Sequence, residues 1–82
     1  MLVLLLKTQK LPRLSRKEVI KTLLKIGFVS ARQKGSHIIL KKESVNGVKT
    51  TVVPLHKETD RGTLLEIIRQ AGLKKEEFLK LI

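Results

Sequence analysis

Cysteine, tryptophan and tyrosine are absent from this chain, and its only aromatic residues are Phe28 and Phe78. Without cysteine there is no disulfide framework, no thiolate metal site and no cysteine nucleophile. That usage suits a reducing compartment, and a cytoplasmic location is expected. Without tryptophan or tyrosine a membrane-surface helix lacks its interfacial anchors, and RNA bases lack the stacking platforms used by RNA-recognition motifs and OB-folds. Long apolar runs are missing too. Met1–Leu6 is far too short to span a bilayer and has neither the basic flank nor the small-residue cleavage site of a secretory signal. The expectation for it is an extra edge strand, a hydrophobic flap or the residue of an early start codon, and no membrane partner is expected. Acids are also scarce, at seven Asp and Glu against eighteen Lys and Arg, a formal net charge of +11.

What is present is positive charge, unevenly placed. Residues 1–42 carry eleven Lys and Arg against Glu18 alone, whereas residues 43–82 carry seven against six acids. A polyanion would feel that asymmetry at long range, and its binding would weaken with salt. With few aromatics, such binding would lean on the phosphate backbone and on shape. The plainer alternative is a solvated basic surface. At 82 residues the chain has room for one small core.

Ser15-Arg16-Lys17-Glu18 has the form of a capping box, with Leu14 and Val19 at the two staple positions. Val19, Ile20, Leu23 and Leu24 follow at helical spacing, leaving Lys17, Lys21 and Lys25 on the solvated side, and Gly27 supplies the stop. The spacing thus predicts a helix over about 16–26. Phe28–Gln33 and Ser36–Lys42 read as strands around a Lys34-Gly35 turn. Asn46-Gly47 signals a type I′ hairpin into a third strand, Val48–Val53. After a loop over 55–60, Leu64, Leu65, Ile67, Ile68 and Ala71 mark a second helix ended by Gly72, and residues 75–81 suggest a short third helix. The expected fold is α+β: helix, three-stranded antiparallel sheet, helix, with both helices on one face. Strand alternation then assigns Ile38 and Leu40 to one face and His37, Ile39 and Lys41 to the other, open one.

Few chemistries survive inspection. No serine–histidine–acid triad, carboxylate pair, metal-ligand spacing or phosphate-cradling glycine motif is evident. Gln33-Lys34-Gly35-Ser36-His37 instead delivers a histidine from a basic turn onto an apolar run. Histidine takes and gives protons near neutral pH. In RNA, a base that deprotonates the 2′-hydroxyl and an acid that protonates the departing 5′-oxygen are enough for strand cleavage, helped by cationic donors to the phosphate. Lys34 and Ser36 flank His37 as such donors. His56 is a weaker candidate, in a loop after Pro54. Gly62-Thr63, at a helix start, fits a phosphate contact or simply a cap.

The residues Gly27-Phe28, Gln33-Lys34-Gly35-Ser36-His37, Val53-Pro54-Leu55-His56, Gly62-Thr63-Leu64, Ile67–Leu73 and Glu77-Phe78, in this order and spacing, resemble the HicA family of toxin ribonucleases. The resemblance spans roughly residues 11–78. It implies a double-stranded-RNA-binding-like fold and a messenger-RNA-cleaving toxin whose catalytic histidine matches His37. It also implies neutralisation by a HicB-type antitoxin that covers this histidine, with no cofactor and no metal. On that basis His37 is the expected catalytic residue. Arg32, Lys34, Gly35, Ser36 and Lys41 are the expected RNA and phosphate contacts, with His56 and Thr63 in support. Residues 14–82 are expected to form the domain and 1–13 an N-terminal extension, of which Met1–Lys10 precedes the usual family start. Two alternatives stand beside this: a non-catalytic RNA-binding module of the same fold, and a basic protein-interaction domain. Many relatives have an aromatic residue in the strand after the histidine, where this chain has Ile38, Ile39 and Leu40.

Overall fold

The computed structural model describes residues 11–82, so the expectation for Met1–Leu6 lies outside the described residues. The elements are β1 (Leu14–Ser15), α1 (Arg16–Lys25), β2 (Val29–Lys34), β3 (His37–Ser44), β4 (Gly47–Pro54), β5 (Glu58–Thr59), α2 (Arg61–Gln70) and α3 (Lys75–Leu81). Strands β2, β3 and β4 form an antiparallel sheet in that spatial order, and α1 and α2 pack on the same sheet, as the helix–sheet–helix expectation requires.

Helix α1 starts where its cap dictates. Ser15 Oγ accepts the Glu18 N–H at 3.2 Å, while the Glu18 carboxylate accepts the Ser15 hydroxyl at 3.1 Å rather than the backbone N–H of a full capping box. Leu14 and Val19, the staple pair, are both buried. Leu24, expected on the apolar side, is half exposed, and Thr22 takes the inward position instead, its hydroxyl satisfied by the Glu18 carbonyl at 2.8 Å. Helices α1 and α2 end alike. Phe28 N–H reaches Leu23 O at 3.1 Å past Gly27, and Leu73 N–H reaches Ile68 O at 3.1 Å past Gly72. Each glycine holds the left-handed φ that this stop needs, +100° and +75°. Leu65, expected among the inward residues of α2, faces solvent, because Leu64, Ile67 and Ile68 already span the buried stripe.

The hairpins differ from expectation in detail. Lys34 pairs with His37, so the first loop is Gly35-Ser36, one residue later than expected. Gly35, at φ +58°, leads a two-residue loop, the arrangement of a type II′ turn. In the second loop Ser44 pairs with Gly47 around Val45-Asn46. Only Gly47 has positive φ there, so the type I′ expectation, which needs it at Asn46 as well, gives way to a turn followed by a left-handed glycine. The 55–60 loop also holds a strand. Leu14 pairs with Thr59 and Ser15 with Glu58, clasping the start of α1 to the chain after β4.

The core combines Val19 and Leu23 of α1, Leu40 and Val53 of the sheet, Leu64, Ile67 and Ile68 of α2, and both phenylalanines. Gln70 Oε1 accepts the Thr51 hydroxyl at 2.9 Å and the Val52 N–H at 3.3 Å, fixing the end of α2 to β4.

One irregularity controls which residues face outward. Between Ser30 and Arg32 the β2–β3 register shifts, leaving Ala31 as an extra residue. Phe28, Arg32 and Lys34 share parity in the sequence, and strict alternation would put all three on Phe28's side, in the core. The bulge breaks that parity. Phe28 is buried, while Arg32 lies opposite Ile39 and Lys34 opposite His37, on the open face. Deleting Ala31 would leave every remaining pair in register. The deletion variant is therefore expected to retain a cooperative melt and to bind RNA within about threefold of the parent, since no phosphate contact is removed. Loss of the cooperative transition would show that the bulge is needed for more than parity.

Candidate active site

His37 is the first residue of β3 and is exposed, its ring on the face of the sheet that carries no helix. Its position follows from the Gly35-Ser36 loop, which closes the hairpin from β2, and from Pro54, its partner on β4. Directly opposite residues of an antiparallel pair lie about 4.5–5.5 Å apart at Cβ. Lys34 is such a partner of His37, so an anion touching the imidazole is within reach of the Lys34 ammonium. One row along, Arg32, Ile39 and Val52 stand side by side, and in the next row Val29, Lys41 and Thr50. Arg32, Lys34 and Lys41 are all exposed, as are Gly35 and Ser36. The structure thus gathers His37 and the three expected cations on one open surface.

Ser36 is tied down: its carbonyl accepts the Leu55 N–H at 2.7 Å. Leu55 is held in turn from the other side, its carbonyl accepting Arg16 Nη1 at 3.1 Å. This relay connects the first residue of α1 to the residue preceding His37. His56 follows Leu55 and is exposed at the same end of the sheet.

Thr63 is taken up by the cap of α2. Its N–H donates to Asp60 Oδ1 at 2.8 Å and its hydroxyl to Oδ2 at 3.0 Å, which spends the donors a phosphate would need. Those two bonds, the amide first and the hydroxyl second, hold the Asp60 carboxyl below its ordinary range. Of the two readings of Gly62-Thr63, the cap accounts for the geometry.

Among the described residues the ion pairs are Arg13–Glu58, at 3.3 Å, and Glu66–Arg69, at 2.6 Å. Neither takes a cation from the His37 face. No local signal marks Arg16 or Lys57 as neighbours of this region. They are 41 positions apart and meet only because β1 pairs with β5.

A family model described as "HicA toxin of bacterial toxin-antitoxin" matches residues 16–73, from the first residue of α1 to the residue that closes α2. No curated protein matches the chain.

Proposed function

Because this chain belongs to the HicA toxin family of bacterial toxin–antitoxin systems, we propose that it is an endoribonuclease that cleaves messenger RNA through His37. It is a toxin whose partner in kind is an antitoxin. The observation that carries the finer reading is the placement of His37: an exposed imidazole on an open sheet face, with Lys34 as its cross-strand neighbour and Arg32 and Lys41 beyond.

In this reading the imidazole moves the proton. The ribose 2′-oxygen attacks the adjacent phosphorus as its proton leaves to a base, the bond from phosphorus to the 5′-oxygen breaks, and that oxygen takes a proton from an acid. The products are a 2′,3′-cyclic phosphate and a 5′-hydroxyl. His37 serves one of these transfers, and Lys34 and Ser36 face the phosphoryl oxygens, where negative charge accumulates. His56 has a supporting position. The reaction draws on no cofactor. Among the described residues, no three His, Asp or Glu side chains converge to hold a metal ion. No helix among them is long and apolar enough to cross a membrane. Inhibition by a HicB-type antitoxin would follow from covering the same exposed face, and an acidic antitoxin surface would be steered to it.

The reading is tested with purified protein and two oligonucleotides of one sequence, RNA and DNA. RNA is expected to be cut in the presence of a chelator, leaving cyclic-phosphate ends. The DNA, lacking the attacking hydroxyl, is expected to bind and stay whole. Cleavage of both strands, or loss of RNA cleavage in chelator, would overturn the mechanism.

A further inference from the structure

Around the start of α1 lies an open depression of about 430 Å³ lined by Ser15, Arg16, Lys17 and Lys57. Three of its four lining residues are cationic and none is acidic. Of the acids next to them in the chain, Glu58 pairs with Arg13, whereas the Glu18 carboxylate stays at the edge of the depression, accepting the Ser15 hydroxyl. Arg16 is held by a neutral group, the Leu55 carbonyl, so its charge is uncompensated and its planar fork keeps unspent N–H donors. The β1–β5 clasp pairs Ser15 with Glu58, which brings Lys57 alongside Arg16. Through Leu55 the depression is one residue from the turn that presents His37.

We propose that this depression is a second phosphate-binding subsite, which holds a backbone phosphodiester of the RNA strand whose neighbouring segment lies at His37. The inference rests on the ribonuclease reading for its ligand class. A tetrahedral phosphodiester suits the site because Arg16 offers a fork of donors and Lys17 and Lys57 offer point charges. The subsite would add affinity and fix strand direction across His37, and it would do so without reading bases.

The test measures RNA binding in the His37→Ala background, where the strand stays intact. A triple variant, Arg16→Gln, Lys17→Gln and Lys57→Gln, is compared with a control that loses the same charge at and just before α3, Lys74→Gln, Lys75→Gln and Lys80→Gln. Glutamine at position 16 retains a donor for the Leu55 carbonyl, which separates charge from positioning. The subsite variant is expected to bind at least about tenfold more weakly, and its log–log salt slope should flatten by about 0.7 for each lost contact on a single strand, some two units in all. The control should shift the slope by less than half as much. Equal losses in the two variants, or an unchanged slope in the subsite variant with its thermal melt preserved, would overturn the subsite and leave the ribonuclease reading standing. Absence of RNA binding and of cleavage in the parent protein, even at low salt, would remove both.

Discussion

With His37 replaced by alanine, RNA cleavage is expected to fall by at least about 10²-fold, the lower end of what a positioned proton-transfer group contributes. Growth arrest on expression should disappear with it. The side chain is exposed on a face that carries no helix, so its truncation removes no core packing, and the thermal melt should stay close to that of the parent. RNA affinity should be largely kept, because phosphate contacts from Arg32, Lys34 and Lys41 remain. These separate readouts distinguish the possible roles of the residue. A fall in cleavage with binding retained identifies a group acting on the reacting atoms. A fall in affinity alone would make His37 a contact in a non-catalytic RNA-binding module. Undiminished cleavage would end the assignment outright.

The second large effect concerns α3, which lies beyond the span that the family model matches. Phe78 is its fully buried residue, and α3 packs on both α1 and α2. Truncating a buried phenylalanine to alanine costs about 3–5 kcal/mol. A domain of this size holds only some 4–12 kcal/mol in total. Phe78→Ala is therefore expected to lower the melting temperature by more than about 12 °C, and at the larger cost to leave the chain substantially unfolded at 37 °C. Circular dichroism through a thermal ramp checks this, with Phe78→Leu expected to recover most of the loss. A shift of only a few degrees would mean that α3 is an appendage and that the core closes without it. The outcome bears on function as well, because α1, against which α3 packs, carries Arg16, the residue linked through Leu55 to the turn before His37.

Much of this molecule was legible in its residues. The ends of α1 and α2 follow from Ser15, Gly27 and Gly72, because caps and left-handed stops are chemistry within a few residues of the chain. Residues 75–81 read as a short helix, and the structure has one at Lys75–Leu81. The outward placement of His37 followed from alternation in β3, where Leu40 is buried and His37 exposed. Other features were out of reach for a stated reason in each case. The loop residues of both hairpins depend on which pairs close the ladder, a decision shared between two strands. The β1–β5 clasp joins two-residue segments too short to carry a periodic pattern. The contact from Arg16 to Leu55 spans 39 positions, and nothing local to either residue announces it.

The division between the two sources is clearest in β2. The residues alone determined that a basic turn would lead into a histidine-bearing strand, because glycine, lysine and the apolar run are local facts. They could not determine that Arg32 and Lys34 would stand beside that histidine, since their parity matches Phe28, which the core claims. Only the packed structure decided it: burial of Phe28 on one side and pairing of Lys34 with His37 on the other are compatible once Ala31 is left out of the ladder. A period of two turns one displaced residue into a change of face for those that follow it, and that displacement is set by contacts across the whole fold.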